Sequence, residues 1–227
     1  MDILVIRHAQ SGNNLLWERN GSSRGRSADP ELTPLGLDQA QAVARAFAAG
    51  DYPRPTHLFT SLMLRAVQTA APIAEALDLP LIGHAETFEF FGPVEYDPDD
   101  HERRWHHPGA SRQTLQRLSP RLTLPSPAGE DGWWRGPVED EAACDARARR
   151  VVRELVTTHG GTGATLALVT HGTFSQYLIR ALLGIETMTG WLAIGNTSVS
   201  QFRDVEALTV ASWINRLDHL APGQRSD

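Results

Sequence analysis

The chain contains no lysine; all 21 of its basic residues are arginine. Any anion site must therefore be built from planar guanidinium forks, not from ammonium point charges. It has one cysteine, Cys144, which excludes an internal disulfide framework and suits a reducing, cytoplasmic setting. No apolar run approaches the ~20 residues that span a bilayer. The opening MDILVIRH lacks the basic-then-apolar pattern of a secretory leader. Positive charge is not in excess either: a net charge of −6 argues against nucleic acid or a membrane surface as partner. Internal repeats and sustained low-complexity tracts are missing. What remains is 227 residues, 41% of them hydrophobic, enough for one domain with a real core, or one domain carrying a large insertion.

The most informative stretch is residues 3–14, ILVIRHAQSGNN. Ile3-Leu4-Val5-Ile6 is β-branched-rich and too short for a stable helix, so it reads as a strand buried on both faces. Arg7 and His8 follow without a spacer, then the polar turn cluster Ser11, Gly12, Asn13, Asn14. Residues 165–170, TLALVT, repeat the pattern and end in His171-Gly172. Thr173 is expected to cap a helix that stops at Gly184. Either histidine alone would more often be a packed strand-end residue. Two of them, one preceded by arginine, point to a shared site: if the strands are parallel neighbours, both imidazoles face the crevice at the carboxyl edge of a sheet, where open α/β sheets bind ligands.

Residues 14–26 read as a loop in which Arg19, Arg24 and Arg26 are mostly solvated. Thr33-Pro34 starts a helix with a capping hydroxyl and Pro at its first position; Leu37, Ala40, Val43, Ala44 and Phe47 share its face, and Gly50 ends it. Residues 56–60 form a strand, Ser61 caps the next helix, and Pro72 is a candidate kink. Arg65 falls in the first turn of that helix, at the same sheet edge as His8, where the helix dipole favours anions. Residues 83–140 show no simple periodicity and read as a cap inserted over the sheet edge, with 119–137 largely irregular. Residues 141–158 are helical. Residues 198–203 and 207–214 pair as an antiparallel hairpin at one edge, and 220–227 reads as a frayed tail. The expected fold is α/β: a three-layer α/β/α sandwich, mostly parallel with an antiparallel edge, forming a single domain over 1–227.

Two histidines, two arginines and a carboxylate, without a cysteine nucleophile or a metal-type acid cluster, suit phosphoryl transfer. Arg7 and Arg65 can clamp a phosphate by bidentate hydrogen bonds. An unprotonated imidazole is a competent nucleophile toward phosphorus. His171 is expected to stay protonated and stabilise equatorial oxygens. A carboxylic acid should protonate the leaving alkoxide; Glu89 is the first candidate and Glu86 the second, with bound phosphate favouring the protonated form. Arginines replace a metal cation, so neither metal nor other cofactor is required.

Several blocks resemble the histidine phosphatase superfamily, the phosphoglycerate-mutase-like branch 1 group. Its Arg-His-Gly signature corresponds to Arg7-His8-Ala9-Gln10-Ser11 with Asn14 in register; Ala9 departs from the usual glycine but stays small. Leu32-Thr33-Pro34-Leu35-Gly36 with Gln39-Ala40 resembles a second block. Residues 61–70, SLMLRAVQTA, resemble the block carrying the second phosphate-binding arginine. Val169-Thr170-His171-Gly172 resembles the block with the second histidine, and Asn196-Thr197-Ser198 a turn before the final strands. The resemblance implies that His8 is the phosphorylated nucleophile and that Arg7, Arg65, His171, Gly172 and Asn14 form the phosphate pocket. It also implies that the acid lies in Thr87-Phe88-Glu89-Phe90, although the spacing to Gly92 is one residue shorter than in the mutase type.

The expected activity is hydrolysis of a small phosphomonoester through a phosphohistidine on His8. Mutases of this group use basic residues, lysine among them, to hold a substrate carboxylate. The missing lysine and the modest length favour a phosphatase, while Arg103-Arg104 keeps a cofactor-dependent phosphoglycerate mutase or related phosphotransfer as the alternative. A non-enzymatic phosphate-ligand binding protein is a further alternative, opposed by the intact Arg7, His8, Arg65 and His171. A metal-dependent hydrolase on His101, His106 and His107 has usable zinc spacing, but those residues read as pocket lining or solvated. Trp105, Trp133 and Trp134 read either as a leaving-group pocket or as packing. The expected partner is a small phosphorylated substrate, and a homo-oligomer is compatible with the sequence.

Overall fold

The computed structural model describes residues 1–22, 24–97, 100, 103–125, 129–205 and 208–227. Strand β1 (Asp2–Arg7) leads through the His8 loop to helices α1 (Gly12–Asn20) and α2 (Pro34–Ala49). Then come β2 (His57–Ser61), α3 (Leu64–Leu77) and β3 (Leu81–His84). A hairpin of β4 (Val94–Tyr96) and β5 (Arg104–His106) precedes α4 (Arg112–Leu118) and β6 (Leu122–Thr123). The chain closes with α5 (Glu141–His159), β7 (Thr165–Thr170), α6 (Gly172–Leu183), β8 (Val199–Val205) and β9 (Leu208–Arg216).

One seven-stranded sheet runs β6-β3-β2-β7-β1-β8-β9. Its first five strands are parallel, while β8 and β9 are antiparallel. The apolar run of β1 is explained by burial on both faces. Leu4 and Ile6 pack with Leu58 and Val169 against Val43, Phe47, Val67 and Ile73 of α2 and α3. Ile3 and Val5 pack with Leu166 and Leu168 against Val151, Leu155, Phe174 and Leu178 of α5 and α6. The result is the three-layer α/β/α sandwich expected, mostly parallel with an antiparallel edge.

The inference that mattered most holds: β1 and β7 are parallel neighbours, with Arg7 opposite Thr170. His8 and His171, each one residue beyond its strand, therefore leave the sheet side by side.

Other expectations are corrected. Residues 12–20 form a helix, not a loop. A capping box fixes its start: Ser11 Oγ accepts from Asn14 N, and Asn14 Oδ1 accepts from Ser11 N. Gly21 in the left-handed conformation ends it. No residue of α1 is fully buried, so it carries no apolar stripe for periodicity to detect. Ser61 and Thr173 do not cap their helices; Met63 and His171 occupy those positions without side-chain caps. Helix α3 continues through Pro72.

Within residues 83–140, expected as a cap over the sheet edge, β6 joins the main sheet in parallel beside β3, while β4 and β5 form a separate two-stranded sheet. The final hairpin forms, with its second strand starting at Leu208; Glu206 and Ala207 lie outside the described residues. The tail is docked, not frayed. Leu220 is buried, and Ser226 O accepts from Asn196 N at 2.9 Å. Among the described residues no helix is long and apolar enough to cross a membrane.

Candidate active site

Every backbone polar group of the loop after β1 that could be left orphaned finds a partner, and the partners come from distant elements. His8 N–H donates to Thr170 O at 2.8 Å, and His8 O accepts from Asn196 Nδ2 at 3.0 Å. Ala9 N–H donates to Thr69 Oγ1 of α3 at 2.9 Å. Gln10 N–H donates to Gln39 Oε1 of α2 at 2.8 Å, and Gln10 O accepts from Thr33 N at 3.0 Å. Gly36 lies so close that a Cβ there would sit 2.1 Å from Gln10 O. The sequence blocks around Thr33, Arg65 and Asn196 thus act together as a clamp on the His8 loop.

That clamp fixes the His8 ring. Its Nδ1 lies 2.7 Å from Ala9 O; a carbonyl only accepts, so Nδ1 carries the proton. Arg65 Nε–H donates to Nε2 at 3.1 Å, which therefore presents its lone pair. Burial, with the Arg65 and Arg7 guanidiniums adding to it, holds the His8 pKa well below 6.5. His8 is a neutral imidazole of one defined tautomer.

Three arginines surround it. Arg7 donates through Nη1 to Ile194 O, while its buried Nε has no partner among the described residues. Gly172 leaves the space that guanidinium needs, since a Cβ there would approach Arg7 Nε at 3.2 Å. Arg65 is buried; its Nη1 lies 3.7 Å from Asp29 Oδ1, which also accepts from Leu64 N at 3.0 Å. Burial lowers both guanidinium pKa values, opposed by nearby carboxylates, Glu89 among them. Burial also pushes Asp29 up to about 7, against the pull of Arg65. Arg26 adds a third guanidinium, 5.7 Å from the Tyr96 ring centroid.

These side chains line an inner cavity of about 110 Å³ with Ser11, Asn13, Asn14, Trp17 and Glu89. Arg7, Asn14, Trp17, Arg26 and Glu89 also line an outer chamber of about 440 Å³, completed by Gly172, Thr173, Gln176, Trp191, Leu192 and Ile194. Asn14 Oδ1 is committed to Ser11 N–H and Oγ–H, at 3.0 and 2.8 Å. Its Nδ2 makes no hydrogen bond among the described residues. A more apolar cavity of about 270 Å³, between Met1, Val152, Leu182 and Phe202, begins at the other end of β1 and shares no residue with the site.

Glu89 and Glu86 separate clearly. Glu89 lines the cavity and its carboxylate accepts from Phe90 N and Phe174 N at 2.9 Å and from Thr173 N at 3.3 Å. It thereby caps α6, the task expected of Thr173. Glu86 instead meets Arg150 at 3.3 Å on the surface.

His171 needs a correction. Its ring centroid is 5.1 Å from that of His8, but the ring is fully buried behind it and does not line the cavity. Nε2 is 2.8 Å from Ser61 Oγ, and Nδ1 has no partner among the described residues. Burial and then Arg65 hold its pKa well below 6.5, which favours the neutral ring over the protonated one expected.

The remaining candidates lie elsewhere. Arg103 meets Asp97 at 3.7 Å and Arg104 stacks 3.9 Å from the Phe91 centroid. His106 stacks on Trp134 at 4.7 Å and His107 Nδ1 accepts from Gly109 N; His101 lies outside the described residues. No group of three metal-type ligands forms among the described residues. Trp133 and Trp134 are buried with Phe88 in the core, and Trp105 donates to Glu95 on the hairpin.

Sequence reading missed Asp29, Arg147, Trp17 and Trp191. Arg147 is buried in α5, paired with Glu139, and donates to Glu86 O and Phe88 O at 2.7 and 2.9 Å. It holds the segment that delivers Glu89. Its signal was legible: it falls in phase with the buried positions Cys144, Ala148 and Val151, where a charge needs a reason.

A buried arginine-rich cavity at the carboxyl edge of a parallel sheet is an anion site on an α/β sandwich. The chain belongs to the histidine phosphatase superfamily (branch 1), whose model matches residues 3–215. It is 31% identical over 202 residues to a 2,3-bisphosphoglycerate-dependent phosphoglycerate mutase of Methylobacterium sp. (strain 4-46), a match covering 83% of this chain and 87% of that one. Its fold superposes on a phosphoserine phosphatase of Entamoeba histolytica solved with phosphoserine, at TM-score 0.64 and 22% identity over 97% and 99% of the two chains. It also superposes on a mycobacterial glucosyl-3-phosphoglycerate phosphatase solved with VO3, at TM-score 0.62 and 23% identity over 94% and 98%.

Proposed function

We propose that the protein hydrolyses small phosphomonoesters without a metal, through a phosphohistidine on His8. The observation that carries this reading is the His8 ring, with its proton committed to Ala9 O at Nδ1 and its lone pair at Nε2 beside the Arg65 guanidinium.

In the first half-reaction Arg65 stays protonated and redirects its Nε–H hydrogen bond from His8 to a phosphate oxygen, and Arg7 and Asn14 hold the others. Nε2 attacks phosphorus and the bond to the leaving oxygen breaks. Glu89 protonates that oxygen. The imidazolium that forms keeps Nδ1–H on Ala9 O. In the second half, water attacks the phosphohistidine, gives its proton to Glu89, and phosphate leaves as the P–Nε2 bond breaks. Three guanidiniums offset the negative charge that spreads over the equatorial oxygens. His171 lies behind His8, where it takes up a proton once the phosphate offsets the arginines. Gly172 makes room for Arg7.

The Methylobacterium relative supports a second reading, in which the phosphoryl group returns to another hydroxyl. The test is hydrolysis of 4-nitrophenyl phosphate in excess EDTA by wild type and His8→Ala, with acid-quenched protein probed for bound phosphate. Turnover and labelling in wild type alone are expected. Label without turnover, discharged only by phosphoglycerate, would replace the phosphatase reading by the mutase one.

A further inference from the structure

Two of the largest apolar surfaces left in solvent flank one chamber. Trp17 is 58% exposed and Trp191 67% exposed, and both line the outer chamber that opens from the phosphate cavity. Single exposed aromatics need no explanation, but two on the walls of one ligand-sized cavity do.

Neither indole is placed by core packing. Trp17 stands on α1, which fully buries none of its residues. That helix is held from its ends: by the Ser11–Asn14 capping box, and by Gln10 Nε2 donating to both oxygens of Glu18 at 3.0 and 2.9 Å. Trp191 stands on an irregular segment that the Gln176 amide grips from both sides. Gln176 Nε2 donates to Leu192 O and its Oε1 accepts from Leu192 N, each at 2.9 Å. Both devices secure a backbone and leave the ring faces uncovered. The chamber lining includes the Arg7 and Arg26 guanidiniums, the latter without a carboxylate partner among the described residues.

We infer that the outer chamber is the leaving-group site and selects phosphomonoesters of ring-bearing alcohols, whose flat ring stacks on Trp17 and Trp191 while the phosphate sits between Arg7 and Arg65. This rests on the phosphatase reading and adds its substrate class. Stacking on an indole rewards a rigid ring over a flexible chain of equal size, because the ring loses less freedom on binding.

The test compares benzyl, propyl and hexyl phosphate in EDTA. Their leaving alcohols are similarly basic, so differences report binding and not bond cleavage. Wild type is expected to favour benzyl over both others by about tenfold or more in kcat/KM. Trp17→Ala and Trp191→Ala should each shrink that ratio several-fold, with the loss in KM, whereas Trp105→Ala on the β4–β5 hairpin should not. A merely structural role for the indoles would lower all three substrates alike and overturn the inference. Equal kcat/KM for hexyl and benzyl would also overturn it, leaving a phosphatase with a generic apolar mouth. No metal-free hydrolysis of any of the three, nor of 4-nitrophenyl phosphate, would sink the phosphatase reading and this inference together.

Discussion

Glu89 shows how one side chain serves fold and chemistry at once. Two of its backbone donors, Thr173 N and Phe174 N, lie at the N-terminus of α6, and with Phe90 N they hold the carboxylate at the cavity wall. As a general acid it should matter most where the leaving group needs its proton. Glu89→Gln is therefore expected to cut kcat/KM for an alkyl phosphate by about 10²–10⁴-fold. Hydrolysis of 4-nitrophenyl phosphate, whose phenolate leaves unaided, should fall far less. Equal losses on both substrates would assign Glu89 to capping alone. Arg7, His8, Arg65 and His171 were legible in the sequence because each sits at the end of a buried strand or opens a helix, where change of character is abrupt, whereas Arg26, outside any strand or helix, read as solvated. Asp29 and Ser61 were not legible either: Asp29 sits in an aperiodic loop, and Ser61, the last residue of β2, read as a helix cap. Only the folded chain brings them to Arg65 and His171.

At the scale of elements, the site is a loop of three residues clamped by α2, α3, β7 and the turn before β8. The sequence shows the clamping blocks as separate motifs, but their common task appears only when the sheet order puts β1 between β7 and β8. The approach of α2 gives the sharpest test. Gly36→Ala places a Cβ against Gln10 O at 2.1 Å, so either α2 or the His8 loop must move. Overpacking of this kind costs about 1–3 kcal/mol, read as a lowered urea midpoint, and the shift should also misplace His8. A variant with unchanged midpoint and full turnover would show that α2 can retreat without disturbing the loop. Helix α1 and the docked tail escaped sequence reading for one physical reason. Both are held by polar contacts to the site, not by an apolar stripe, and periodicity reports only the latter.

At the scale of the whole molecule, burying so many ionisable groups makes stability depend on pH. His8 and His171 have folded-state pKa values held well below 6.5, chiefly by burial, and His219 is held at about 4, again by burial. For each, the unfolded chain takes up a proton below pH 6.5 that the folded chain refuses. Their contribution is thus fully present above 6.5 and lost as pH falls toward the folded values, by about 1.4 kcal/mol per pH unit per proton. Asp29 works the other way. Its folded value of about 7 exceeds the ordinary 3.8, so between these values folding takes up one proton, and acidification stabilises. The histidines outnumber it, so the unfolding free energy of the empty protein should drop from pH 7.5 to 5.5. His8→Asn isolates one proton of the balance: the wild-type advantage over it should shrink by about 1.4 kcal/mol per pH unit below 6.5, measured by urea unfolding at each pH. Saturating inorganic phosphate, by offsetting Arg7 and Arg65, lets His171 protonate in the folded state and should lessen the wild-type slope. Parallel pH dependences in wild type and variant would mean that His8 is not held neutral by its burial, and the nucleophile would then have to be freed of a proton before it could attack.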